Sequence, residues 1–143
     1  MSSTAFFPKG TVLSRKNPTT AVYEAVPQCT SIGFPGSAQE FDDITNHDSP
    51  AGYAERLATI KTPSDVPIEI LLIPDNAMHN AIFDDAGTNP VPLRSWKIMY
   101  PAPYSTRGWS FDAYPTSPSG TLGPRNAAKV SFNLNISGAI TRI

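Results

Sequence analysis

The stretch Val130-Ser131-Phe132-Asn133-Leu134-Asn135-Ile136-Ser137 decides the fold class. Apolar side chains fall on every second position, and hydroxyls or amides fill the others. Successive side chains of a strand point to opposite faces, so this period builds a strand with one buried and one wet face. The segment before it repeats the pattern. Residues 94–100 put Trp96, Ile98 and Tyr100 on one side and Ser95, Lys97 and Met99 on the other. With 108–114 they predict an antiparallel hairpin, because Pro101, Ala102, Pro103, Tyr104 and Ser105 between them supply turn chemistry. A second hairpin is predicted from 11–15 and 21–26 around Lys16, Asn17, Pro18 and Thr19. Residues 29–34 add a strand, and 68–73, apolar on both sides apart from Glu69, read as a central strand covered on each face.

Three segments depart from period two. In 76–86, Ala77, Met78, Ala81, Ile82 and Ala86 recur at helical spacing, with Asp75 as N-cap and Gly87 just past the end, which predicts one short amphipathic helix on a sheet. Residues 115–125 hold Pro115, Pro118, Pro124, Gly120 and Gly123 and read as a long, stiffened loop. Residues 42–63 form a long arm, turn-rich to Gly52, after which helix and strand templates match residues 53–61 equally well. An insertion of this size in a compact domain is functional or ordered by a partner.

Composition narrows the function classes. The chain has 143 residues, 40% hydrophobic and 10% aromatic, enough for one core and a single domain over 1–143. Eleven Lys and Arg against twelve Asp and Glu leave a formal charge of -1, which does not describe a strongly basic nucleic-acid binder or a membrane-surface protein. Charged residues are only 16%, below the usual ~25%, which leaves room for other protein to cover the surface. One cysteine, Cys29, makes no internal disulfide. The longest aliphatic run, Ile70 to Ile73, is far short of the ~20 residues that cross a bilayer, so no membrane insertion is expected.

The chemistry-bearing residues do not assemble into a catalytic constellation, and no cofactor or metal is implied. His47, Asp48 and Ser49 name a hydrolase triad, but adjacency prevents the line of nucleophile, base and orienter, and a turn ahead of Pro50 is the reading of that run. His79, placed on the helix's polar side with Asn76 and Asn80, lacks companions at metal-ligand spacing. Asp42 and Asp43, neighbours on an extended chain, point to opposite faces and cannot work as an acid/base pair. Gly33-Phe34-Pro35-Gly36 has the wrong spacing for a phosphate loop. Cys29 reads as a small buried hydrophobe. Trp96, Tyr100, Trp109, Phe111 and Phe132 read as core, since their strands carry too few basic residues to track a nucleic-acid backbone. Asp84 and Asp85 sit in the last helical turn, where the macrodipole disfavours carboxylates. Two readings stand for them: a solvated helix end, or a meeting with a cation of another subunit.

Two runs, Asp43-Ile44-Thr45-Asn46-His47-Asp48-Ser49-Pro50 and Tyr53-Ala54-Glu55-Arg56-Leu57-Ala58-Thr59-Ile60-Lys61-Thr62-Pro63, resemble the arm of the tail tube proteins (major tail proteins) of long, non-contractile-tailed bacteriophages. The strand at 68–73 with Pro74-Asp75 and the helix resembles that family's strand, Pro-led turn and single helix. Leu93-Arg94-Ser95-Trp96-Lys97-Ile98, the hairpin to Trp109-Ser110-Phe111 and the closing strand then follow in the family's order. The succession covers most of the chain and is similar to the N-terminal domain of the phage lambda major tail protein. Some relatives carry an additional C-terminal immunoglobulin-like domain, whereas this sequence stops at Ile143.

The resemblance implies a mainly β, sandwich- or barrel-like fold: two packed antiparallel sheets flanked by one helix, with a long extended arm. It implies hexameric rings that stack into a tube around a tape-measure protein, meet tail terminator and tail-tip proteins, and pass double-stranded DNA without enzymatic activity. The virion tail, assembled in the host cytoplasm, is the expected location. The arm is the expected coupling device, with Ile44, Thr45, Asn46, His47, Asp48, Tyr53, Glu55, Arg56, Leu57, Ile60 and Lys61 at the subunit interface, joined by Asp84, Asp85 and, in an N-terminal arm over 1–10, Phe6 and Phe7. Expected lumen residues are Glu40, Asp42, Asp43, Asp112, Ser131, Asn133 and Asn135, since polar and acidic walls let DNA slide. The alternatives are a related secretion-system tube subunit or tail terminator, or a β-sandwich carbohydrate-binding module stacking sugars on Trp96, Tyr104 or Trp109.

Overall fold

The computed structural model describes residues 8–143, so Phe6 and Phe7 lie outside the described residues. The chain folds mainly as β-structure, with two antiparallel sheets and one helix, as expected. The sheets are unequal. The larger contains β1 (Val12–Lys16), β2 (Tyr23–Ala25), β3 (Cys29–Ile32), β6 (Val66–Leu71), β7 (Arg94–Met99), β8 (Gly108–Thr121), β9 (Lys129–Ile136) and β10 (Thr141–Arg142). Its strands run in the order β2-β1-β7-β8-β9-β6-β3, with β10 added on β8. The smaller takes in the arm expected over 42–63 and extends it back to Ser37, as a hairpin of β4 (Ser37–Asp43) and β5 (Arg56–Pro63) that pairs with no strand of the larger sheet, so residues 56–61 are strand and not helix.

The alternation in β9 does what its period requires. Phe132, Leu134 and Ile136 are buried while Ser131 and Asn135 are exposed, and the strand is hydrogen-bonded to β6 on one side and β8 on the other. Leu13, Val66, Ile68, Ile70, Trp96, Ile98, Phe111 and Ala113 join them in one core. The sheet curls round that core until β3 comes back beside β1. Burying apolar surface stabilises at about 25 cal/mol per Å², so the curl follows from putting every inward face against the others.

Three expectations need correction. The strand predicted at 68–73 runs Val66–Leu71 and is covered on one face only, with Pro67 exposed opposite Asn133. The loop predicted at 115–125 is strand as far as Thr121. Beyond Ala113 only β9 pairs with that stretch of β8, and an irregularity between Thr116 and Ser119, with Ser117 at φ 54°, takes up Pro118. Sheets admit residues without N–H at such places. The helix, α1 (Ala77–Gly87), is capped by Asn76 rather than Asp75, because the Asn76 side-chain oxygen accepts from the N–H groups of Met78 and His79. Gly87 ends the helix, and Thr88 follows as its C-cap. Met78 and Ile82 enter the core, and Phe83 packs edge-on against Phe132 at 6.5 Å. Among the described residues no helix is long and apolar enough to cross a membrane.

Candidate assembly surfaces

The arm is an exposed two-stranded ribbon. Its register sets Phe41 opposite Ala58, Asp42 opposite Leu57 and Asp43 opposite Arg56, with a shift between Gln39 and Phe41. Opposed residues share a face and alternate along the strands, so apolar groups lie on both faces. Phe41, Ile44, Tyr53, Leu57 and Ile60 are 42–73% exposed. An isolated two-stranded hairpin is marginal in water, and clustered exposed apolar side chains mark an interaction site.

The arm's tip is organised by its own polar groups. Thr45 Oγ1 accepts from Glu55 N–H at 2.8 Å, and Ile44 N–H donates to Glu55 O at 3.0 Å. Asn46 Oδ1 accepts from Asp48 N–H, and Ser49 Oγ from Asn46 N–H. His47-Asp48-Ser49 is therefore a turn ahead of Pro50, as its sequence predicts. The hydrogen bond from Thr45 holds the Asp43 carboxyl below its ordinary pKa.

The second surface is the wet face of the large sheet. Ser95 Oγ donates to Asp112 at 2.8 Å, Thr116 pairs with Asn133 and Tyr114 with Asn135, and the hydroxyls of Ser119 and Ser131 lie 3.3 Å apart. Lys97 sits 4.3 Å from the centre of the Tyr23 ring. The fold thus brings Asp112, Ser131, Asn133 and Asn135 onto one hydroxyl- and amide-rich face. Glu40, Asp42 and Asp43 lie apart from them, exposed on the arm.

Two residues of α1 behave unlike their expectations. Asp85 is buried, and it accepts from Arg15, and from Arg94 Nε at 3.1 Å and Nη2 at 3.3 Å, within its own chain. It is neither a solvated helix end nor free for another subunit's cation, and it leaves the set of interface candidates; Asp84 stays exposed. His79 is fully buried rather than on a polar side. Its Nδ1 accepts from Ile73 N–H at 3.2 Å, so Nε2 is left to donate to Pro27 O at 2.8 Å. Both ring nitrogens are used in fastening the helix to two loops.

The remaining chemistry is quiet. Burial pushes the Cys29 thiol up to about 11, far from a reactive thiolate. Among the described residues no group of three metal-binding side chains converges. Trp96, one of the aromatics named for sugar stacking, is fully buried.

Compared by sequence, the chain matches no protein-family profile and none of the curated proteins. Compared by structure, it matches tail and tube assemblies over nearly its whole length. A chain from the tail of an empty gene transfer agent particle, refined with C6 symmetry, superposes with a TM-score of 0.71 at 13% identity, covering 97% of this chain and 99% of that one. A chain from the six-fold symmetrised anti-feeding prophage baseplate gives 0.75 at 10% identity, covering 100% and 97%. The SPP1 tail tube gives 0.65 at 13% identity, covering 92% and 75%. The chain therefore has the fold of these tail and tube components.

Proposed function

We propose that this chain is the structural subunit of a bacteriophage tail tube, six copies forming a ring and rings stacking into a hollow tube. The observation that carries the reading is the arm: a ribbon with five large apolar side chains exposed and no place in its own chain's sheet to bury them. The tail and tube neighbours support the same role. Within a ring, contacts of unlike patches close by rotation, while ring-on-ring contacts do not close and grow a filament. The short terminal strands β2 and β3, of three and four residues, leave unpaired backbone groups that a neighbour can cover.

In this reading the wet face carrying Ser131, Asn133, Asn135 and Asp112 lines the channel, which surrounds the tape-measure protein during assembly and later passes double-stranded DNA. DNA is held on proteins chiefly by Lys and Arg releasing its counterions; the hydroxyls and amides offer no such grip, and the cations sharing this face include Lys97, held over the Tyr23 ring, and Lys129 at the start of β9. The interface set is the arm from Ile44 to Lys61 with Asp84. The non-contractile character of the tail rests on the sequence resemblance, since the fold also occurs in contractile injection systems. A second reading has its own support: structures of a sheath/tube terminator and of a tube-terminating cap are among the neighbours, with TM-scores of 0.74 and 0.66. Negative-stain microscopy of the purified protein tests both. Open-ended tubes are expected; single rings that never extend would make it a terminator, and dispersed monomers at all concentrations would refute both.

A further inference from the structure

The charges of the chain are unevenly divided between arm and body. Residues 37–63 carry Glu40, Asp42, Asp43, Asp48 and Glu55 against Arg56 and Lys61, while the rest of the chain holds the other seven acidic and nine basic residues. Both ion pairs found among the described residues belong to Asp85, so among them no carboxylate of the arm is ion-paired, and the one basic residue set opposite an arm carboxylate is Arg56, across the ribbon from Asp43.

The body has a groove of matching character. About 630 Å³ in volume, it is lined by Phe34, Tyr100, Tyr104 and Trp109, with Arg107 and Arg142 beside them. Its aromatic floor is fixed: Phe34 meets Trp109 edge-on at 5.3 Å, and Trp109 Nε1 donates to Tyr100 Oη at 2.6 Å. Phe34 nevertheless remains 68% exposed. Both arginines are exposed, and among the described residues neither is in an ion pair; Gly108 and Ile143 complete the lining, and no acidic side chain and no residue of the chain's own arm belongs to it. The apolar groove beside α1, lined by Leu72, Phe83, Leu122 and Val130, carries no charged side chain and so selects no particular occupant.

We propose that the aromatic groove receives the arm of a second copy, the guanidinium groups of Arg107 and Arg142 meeting the arm's carboxylates while its apolar side chains cover the exposed ring of Phe34. Guanidinium groups suit this because they bind carboxylates in a planar fork and stack on aromatic faces. Charge complementarity also fixes register, since like charges brought together by a misplaced arm repel. The inference rests on the assembly reading above and adds the arm's receptor to it.

A charge swap tests it. The arm variant D42K/D48K and the groove variant R107E/R142E alter exposed side chains only and should unfold at the wild-type midpoint. Each should raise the protein concentration at which tubes form by about tenfold or more, the size expected for losing close charge pairs, and the quadruple swap should recover assembly. The milder R107Q/R142Q should weaken assembly in the same direction. Groove variants that assemble like wild type, or a swap that recovers nothing, would place the arm's receptor elsewhere and overturn the inference while leaving the assembly reading intact. So would DNA retention by wild type that R107E/R142E abolishes without affecting assembly, since the groove would then be a phosphate site. Failure of the wild type itself to assemble would instead strike the reading on which the inference depends.

Discussion

At the scale of the residue, the strongest commitments are buried polar groups. Arg15, 4% exposed, and Asp85, 8% exposed, face each other between β1 and α1, and Arg94 completes the set from β7. Removing one partner of such a pair leaves a buried charge uncompensated, so Asp85→Ala should destabilise the monomer by about 3–5 kcal/mol, measurable by urea unfolding. Burial works to raise the Asp85 pKa, but hydrogen bonds from Arg94 and Arg15 outweigh it and hold the carboxyl below its ordinary value. A depressed folded-state pKa contributes stability that is fully present above the unfolded value of about 3.9 and is lost as pH falls through the folded one. The gap in unfolding midpoint between wild type and Asp85→Asn should therefore be wide at pH 6 and narrow on acidification below about pH 4; a gap independent of pH would contradict the pairing. None of this was legible in the sequence. Asp85 reads either as a solvated helix end or as meeting a cation of another subunit, because its partner Arg15 is 70 positions away, and His79 reads as polar surface because its acceptor, Pro27 O, lies on a distant loop.

At the scale of the element, the arm separates stability from assembly. Leu57 and Ile60 are 54% and 65% exposed, so Leu57→Ser with Ile60→Ser should leave the unfolding midpoint within about 0.5 kcal/mol of wild type, as surface changes do. Tube formation should nonetheless fall at least tenfold in the concentration required, since each 1.4 kcal/mol lost from an interface is about a factor of ten. Sedimentation of tubes from monomer checks both. Elements with one buried face were readable from period alone: β9, the β7–β8 hairpin and the β1–β2 hairpin stand where alternation and turn residues put them. Elements without a buried face were not. Strand β4, Ser37–Asp43, has Phe41 as its one large apolar side chain and no inward face to impose a period, so its pairing with β5 leaves no mark in its sequence. The far half of β8 was hidden for another reason: Pro115 and Pro118 signal a loop wherever a strand lacks an unpaired edge or a bulge to hold them.

At the scale of the whole molecule, the chain divides into a finished part and an unfinished one. The large sheet closes its core around α1 and satisfies its buried histidine and aspartate internally. The arm exposes its large apolar side chains, carries mostly acidic charge that forms no ion pair among the described residues, and is joined to the body through its base. Amide hydrogens exchange through local opening, which is nearly free for a ribbon without tertiary packing and approaches the global unfolding energy in a covered core. Hydrogen exchange of residues 37–63, compared between free monomer and assembled tube, is the most direct measurement. Rapid exchange in the monomer and strong protection in the tube are expected, with β6, β8 and β9 protected in both; equal protection of the arm in the two states would contradict the account.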